Sequence, residues 1–309
     1  MAKYLCAGNI MSDCIEDAAG QRGPFNLGGD ALFGTAGVRL WSDSVAMVCH
    51  SGTDFDVSYG KWLRDNGLTD EHVKIMPCES SKCLIQHRPD GTYKWVPLQG
   101  IKHIRDQVFS GETLLDAVSS GTKGIYMFAE KTNSALDVIE EVRRKSPGIK
   151  IMWELWIDGK PYDEGLEALI RKVDMFSVNR AEAALLFGID PDDTEGLIKK
   201  LRDLPVEFVF FRCGSLGAYG ITGGGVWFCP SAAPLGRAVD PAGCGNSSTA
   251  AAMYGYAEGF SIGKVLAGAC ISAGFLVAQP GVYPLFTGGD RKLAENAREE
   301  LTGKVVRIS

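Results

Sequence analysis

The sequence predicts a layered α/β fold with a mainly parallel central sheet. Three observations carry this reading. Short β-rich runs alternate with helical patterns along almost the whole chain, as in units whose helical crossovers bring each strand back parallel to the last. Several runs are apolar on both faces, as strands covered by helices on each side are. Two stretches break the rhythm, and both read as additions to one sheet.

The expected strands are "KYLCAGN" (3–9), "SVAMVCH" (44–50), "GIYMFAE" (124–130), "IKIMWEL" (149–155), "DMFSVN" (174–179) and "EFVFFRC" (207–213). Helices are expected over 31–41, 55–66, 111–120, 133–145, 162–172, 180–187 and 194–203, with 247–258 and 261–278 closing the chain. Residues 11–28 are polar and Gly-rich without a helical period. Residues 80–105 carry "KCLIQHRPDGTYKWVPL", a hairpin pattern turning at Pro89-Asp90-Gly91. Together these two segments would form a small antiparallel sheet over the main one. With no linker, repeat or low-complexity tract, residues 1–309 read as one domain with a lid.

Composition excludes several classes. The 309 residues are 45% hydrophobic, enough for a sizeable core. Net charge is −6 and no basic block is present, so neither nucleic acid nor an anionic membrane surface is an expected partner. Nine cysteines and four histidines are scattered without metal-knuckle spacing, which argues against zinc and for free thiols in a reducing compartment. "MAKYLCAGNIMSD" reads as a first strand, not a signal peptide, and no apolar run reaches about 18 residues. A cytoplasmic protein is expected.

Five stretches hold residues with chemical potential. In "DPAGCGNSSTAA" (240–251) "GRAVD" (236–240) would end a strand, "PAGCG" would turn, and a helix of small residues would follow, stopping at Gly259. The first N–H groups of such a helix lack internal partners and lie at its positive end. Gly243, Cys244 and Gly245 would then form an anion hole, or simply a turn that caps a tightly packed helix. In "VNRAEAALLFG" (178–188), Asn179 and Glu182 have the spacing of a reciprocal helix cap. The same pair could sit beside a phosphate-bound Mg²⁺ through water. In "FFRCGSLGAYGIT" (210–222), Gly214 and Gly217 either admit a nucleotide against the backbone or serve a turn needing positive φ. Asp13, in "CAGNIMSD" (6–13), and Asp30, beside Gly28-Gly29 in "FNLGGDALFG" (25–34), are either turn residues or acceptors for the hydroxyls of a polyol.

The order of these signals is more specific than any one of them. It runs from a polar strand end through Gly-Gly and Asn-x-x-Glu to a strand with Gly-x-x-Gly, then Asp-x-x-Gly-x-Gly before a helix. From about residue 3 to about residue 290 this resembles the ribokinase-like (PfkB) carbohydrate kinases, and "SGTDFDVSYGKWLRDNGL" (51–68) resembles that family's Gly-x-Asp block. The resemblance implies a three-layer α/β/α, Rossmann-like domain with a β lid, through which many members dimerise. It implies ATP as phosphoryl donor, Mg²⁺ and in some members a monovalent cation, and a sugar-like small molecule as acceptor. Asp13, Gly28 and Gly29 would contact the substrate. Asn179 and Glu182 would organise Mg²⁺ and phosphate, and Gly214 and Gly217 would lie beside the nucleotide. Gly243, Cys244 and Gly245 would supply the anion hole.

Four positions depart from that pattern. The family's block ends in an Asp that deprotonates the acceptor hydroxyl, and here Asn246 stands there. Phe33 replaces an Asn that binds substrate, Arg212 replaces the Thr that opens the nucleotide strand's Thr-x-Gly, and Glu154 corresponds to an Asp ending the mid-chain strand. A general base is worth about 10²- to 10⁴-fold, while positioning and charge stabilisation supply most of the rate in phosphoryl transfer. Three outcomes follow. Another carboxylate, Asp30 or Glu154, takes the proton; the proton leaves through water to ATP; or the chain is a pseudokinase that binds sugar and nucleotide as a sensor.

Overall fold

The computed structural model describes residues 2–88, 93–156 and 159–308. Fourteen strands occur among them, in two sheets. In chain order they are β1 (Tyr4–Ala7), β2 (Met11–Glu16), β3 (Arg22–Gly28), β4 (Val45–Ser51), β5 (Val73–Ile75), β6 (Ser81–His87), β7 (Tyr93–Pro97), β8 (Gly124–Ala129), β9 (Lys150–Leu155), β10 (Met175–Asn179), β11 (Phe208–Arg212), β12 (Gly217–Thr222), β13 (Gly225–Pro230) and β14 (Val306–Arg307). The helices are α1 (Asp30–Arg39), α2 (Lys61–Asp65), α3 (Ile101–Asp106), α4 (Gly111–Ala117), α5 (Ile139–Lys145), α6 (Glu164–Ile170), α7 (Arg180–Phe187), α8 (Thr194–Arg202), α9 (Cys244–Ala257), α10 (Ile262–Leu276) and α11 (Gly288–Thr302).

The large sheet has the order β14-β13-β12-β11-β10-β9-β8-β1-β4-β5. It is parallel from β11 to β5 and antiparallel from β11 to β14. Side chains alternate across it. Tyr4, Cys6, Tyr126 and Met152 join the core under α1, α9 and α10. Leu5, Ala7, Ile125 and Trp153 join the opposite core, under α4 to α8. These are the three layers, and the double-sided burial explains why the strands read as continuous apolar runs. The small sheet, ordered β3-β2-β6-β7, is the lid.

Several expectations are corrected. The lid is not purely antiparallel, because β2 and β6 pair in parallel; the two strands come from separate passes of the chain, so no hairpin dictates their direction. The turn expected at Pro89-Asp90-Gly91 lies outside the described residues. Residues 55–66 divide into a π-helical turn, Asp56–Gly60, and α2. No strand forms at 236–240, and α9 begins at Cys244, three residues before the expected start. Gly243 supplies the turn with φ +77°, so the chain needs no further loop before the helix. The chain does not close with the helix expected over 261–278: α11 and β14 follow it.

Candidate active site

The C-terminal ends of the parallel strands converge with the starts of α1 and α9, the usual place for a ligand in an open α/β sheet. After β1 the chain passes Asn9 and Ile10 into lid strand β2, which carries Asp13. Asn9 O accepts the Ala31 amide at 3.0 Å, stitching this turn to α1. Gly29 caps α1 with φ +99°, and a Cβ there would stand 2.5 Å from Ile10 Cα. A Cβ on Gly28 would strike the Asp13 carboxylate. Both glycines therefore hold the lid strand against the helix start. Phe33, 3% exposed, packs its ring where a Cβ of Gly243 would be, so it joins the two glycine turns.

A chain of polar contacts crosses this convergence. Asn246 donates from Nδ2 to Asp30 Oδ1 at 3.1 Å and to the Tyr126 hydroxyl at 3.0 Å. The Tyr126 hydroxyl donates to Glu154 Oε2 at 2.8 Å. Glu154 Oε1 lies 2.7 Å from Arg212 Nη2, which also donates to Glu182 Oε2 at 3.1 Å. Glu182 completes a reciprocal cap with Asn179, accepting from its backbone at 2.7 Å and donating its own amide to Asn179 Oδ1 at 2.9 Å. One network thus links α1, α9, β8, β9, β11 and α7. Tyr126 and Glu154 are buried inside it.

Burial sets the electrostatics. It pushes the Asp30 carboxyl well above its ordinary value, and Glu154 and Asp13 nearby add to the effect. It raises Asp13 to about 7, with Asp240 contributing. One oxygen each of Asp13 and Asp30 is buried without a hydrogen-bond partner among the described residues. Burial works against the charge of Arg212, but Glu154 and Glu182 outweigh it, so the guanidinium holds its proton more tightly than usual.

The sequence model of the pfkB family carbohydrate kinases matches residues 1–286. The chain belongs to this family. Among solved structures, it is similar to a nucleoside kinase from Burkholderia thailandensis in complex with inosine, at 18% identity and TM-score 0.75, covering 97% of each chain. It is likewise similar to Arabidopsis thaliana ribokinase complexed with ribose and ATP, at 18% identity and TM-score 0.74, over 97% of this chain and 99% of that one. Adenosine kinase from Sinorhizobium meliloti matches at 18% identity and TM-score 0.73, over 97% and 99%. No curated protein sequence matches the chain.

Within this pfkB-family frame the expected site residues divide. Asp30, Glu154, Asn179, Glu182, Arg212 and Asn246 form the network, and Asp13, Gly28, Phe33, Gly243 and Gly245 pack about it. Cys244 turns its side chain away, its Sγ donating to Ala273 O at 3.5 Å, and burial raises the thiol to about 12. Its backbone amide is spent on Pro241 O at 3.2 Å. The amides of Gly245 and Asn246 are the ones that helix geometry leaves without an internal acceptor. Gly217 is fixed by β13, since a Cβ there would strike Cys229 O, whereas the space at Gly214 is open.

The expected Mg²⁺ position does not fit the residues present. Mg²⁺ seeks carboxylate and water oxygens in a near-octahedral shell. Here the Arg212 guanidinium lies against Glu182 on one side and over Gly245 on the other, filling the interval between them.

Sequence reading missed one residue of the site and a cavity lined by other residues. Tyr126, 0% exposed, is the middle of the polar network; the alternation of "GIYMFAE" aims it at the α9 face but does not reveal its partners. Farther along the same strands a cavity of about 340 Å³ is lined by Arg105, Glu130, Lys131, Thr132 and Trp156. Trp156 stacks on Phe128, centroids 6.0 Å apart, and meets Trp95 of lid strand β7 edge-on at 6.5 Å. Arg105 Nη2 lies 2.7 Å from Glu130. A charged residue and a tryptophan just past two buried strands were the signals available.

Proposed function

We propose that this chain transfers the terminal phosphoryl group of ATP to a hydroxyl of a sugar-like or nucleoside-like small molecule, with Asp30 as proton acceptor. One observation carries the reading: Asn246 holds Asp30 Oδ1, while Asp30 Oδ2 is buried with no partner among the described residues. A family base replaced by an amide thus has a carboxylate bonded to it. Burial, with Glu154 and Asp13 nearby, raises the Asp30 carboxyl above its ordinary value, so it binds a proton more readily than an exposed aspartate.

The acceptor hydroxyl gives its proton to Asp30 Oδ2. Its oxygen attacks the terminal phosphorus, the bond to the bridging oxygen breaks, and ADP leaves. Asn246 orients the carboxylate, and the Gly245 and Asn246 amides face the transferring group. The cavity at Glu130 and Trp156 supports an acceptor with both a polar edge and a flat or apolar face, since a carboxylate accepts hydroxyls and an indole stacks.

The experiment is ADP release from ATP across a panel of sugars, polyols and nucleosides, for the native chain and Asp30→Asn. Turnover by the native chain that falls about 10²-fold or more in Asp30→Asn supports the reading. Native turnover that Asp30→Asn leaves intact removes Asp30 as base. Silence across the panel that Asn246→Asp converts into turnover replaces the reading with a pseudokinase.

A further inference from the structure

We infer that Arg212 is the built-in cation of the phosphoryl site, so that a phosphate group binds there without a divalent metal. The inference deepens the phosphotransferase reading and rests on it for the ligand's identity. It starts from the place of the side chain. Arg212 is the last residue of β11, and β11 pairs in register with β10 so that Arg212 stands opposite Asn179. This aims the guanidinium at the start of α9.

Two carboxylates fix it there. Glu154 at 2.7 Å and Glu182 at 3.1 Å both engage the same nitrogen, Nη2. Nε is buried with no partner among the described residues, and Nη1 stands where a Cβ of Gly245 would be. Two donor positions therefore remain after the carboxylates are satisfied, and one faces the turn whose free amides would receive a phosphate. The side chain is only 12% exposed. What sets Arg212 apart from an arginine that only pairs with carboxylates is its place over the start of α9, with Nη1 turned to Gly245.

The two carboxylates oppose an incoming anion. Against them act the guanidinium's full charge and about half an elementary charge from the α9 dipole. The carboxylates gather at one nitrogen of the guanidinium, and the helix start lies against another. Planar geometry and a permanent charge suit arginine to phosphate, where lysine is a point charge and threonine carries none. The closeness of Arg212 to Gly245 also explains why residue 245 must lack a side chain.

The test is calorimetric titration of inorganic phosphate onto the full native chain, once in EDTA and once in excess Mg²⁺. The expected result is binding in EDTA within about threefold of that in Mg²⁺, and about tenfold or more weaker in Arg212→Met, the size of a lost charge-assisted hydrogen bond. Arg212→Met removes the counter-charge of Glu154 and Glu182, so Arg212→Met/Glu182→Gln is measured beside it and should show the same loss. Binding that requires Mg²⁺ overturns the inference, as does binding unchanged in a folded variant lacking Arg212. Absence of phosphate binding in both buffers also overturns it. Because phosphate binding is read without turnover, the ADP-release experiment stands or falls separately.

Discussion

Asn246 spends both of its amide hydrogens inside the protein, one on Asp30 Oδ1 and one on the Tyr126 hydroxyl. An aspartate there would have none to give. Asn246→Asp should therefore fail to raise turnover and should set a second carboxylate against Asp30. Loss of a hydrogen bond and the new repulsion should cost about 1–3 kcal/mol. The loss should be smaller at acidic pH, where the paired carboxyls keep a proton. Urea unfolding at two pH values reads this directly, and an unchanged midpoint at high pH contradicts it.

Asp30 and Asp13 make stability fall as pH rises. Their folded pKa values lie above the ordinary value, so above about pH 4 the unfolded chain releases protons that the folded chain keeps. Stability should decline from there through the folded pKa, which for Asp13 is about 7. Asp13→Asn should flatten that decline between about pH 4 and 7. Asp30→Asn should flatten it further while removing activity. The check is the pH dependence of unfolding free energy for the three proteins.

Gly243 combines a left-handed backbone, φ +77°, with a ring at the place of its missing side chain. Gly243→Ala should cost about 1–2 kcal/mol for the backbone alone, and more for displacing Phe33. Phe33→Ala should itself cost about 3–5 kcal/mol. The pair should be less destabilising together than the sum of the two, because each relieves the same collision. Strict additivity in chemical denaturation would separate Phe33 from the turn.

Glu130 and Trp156 line the cavity below the lid. Glu130→Gln should raise KM for the acceptor about tenfold, leaving KM for ATP little changed. Trp156→Ala should raise the acceptor KM as well, and should loosen the contact with Trp95. Steady-state kinetics with each substrate varied in turn distinguish this from a general loss of structure.

Much of this was legible in the sequence. The buried strands announce themselves because both faces are apolar, and α7 is read to the residue because Asn179 and Glu182 cap it reciprocally. Glycine motifs in the right order located α1, α9 and the lid. What stayed hidden were contacts between residues far apart in the chain. Nothing near Tyr126 in sequence shows that it bridges Asn246 and Glu154, which follow it by 120 and 28 residues. Arg212 read only as a missing threonine, because a guanidinium's reach to another element leaves no periodic trace. The early start of α9 was missed because its first turn, Cys244 to Ser247, is built of small and polar residues and shows no apolar spacing although it meets the core.

The four residues read from the sequence as departures from the family's pattern are not scattered. Asn246, Glu154 and Arg212 belong to one continuous set of contacts, and Phe33 touches the turn that begins it. Exchanging any one of them leaves its neighbours with a charge, a donor or a ring whose partner has changed. Exchanges at these positions should therefore be non-additive, because the residues share partners.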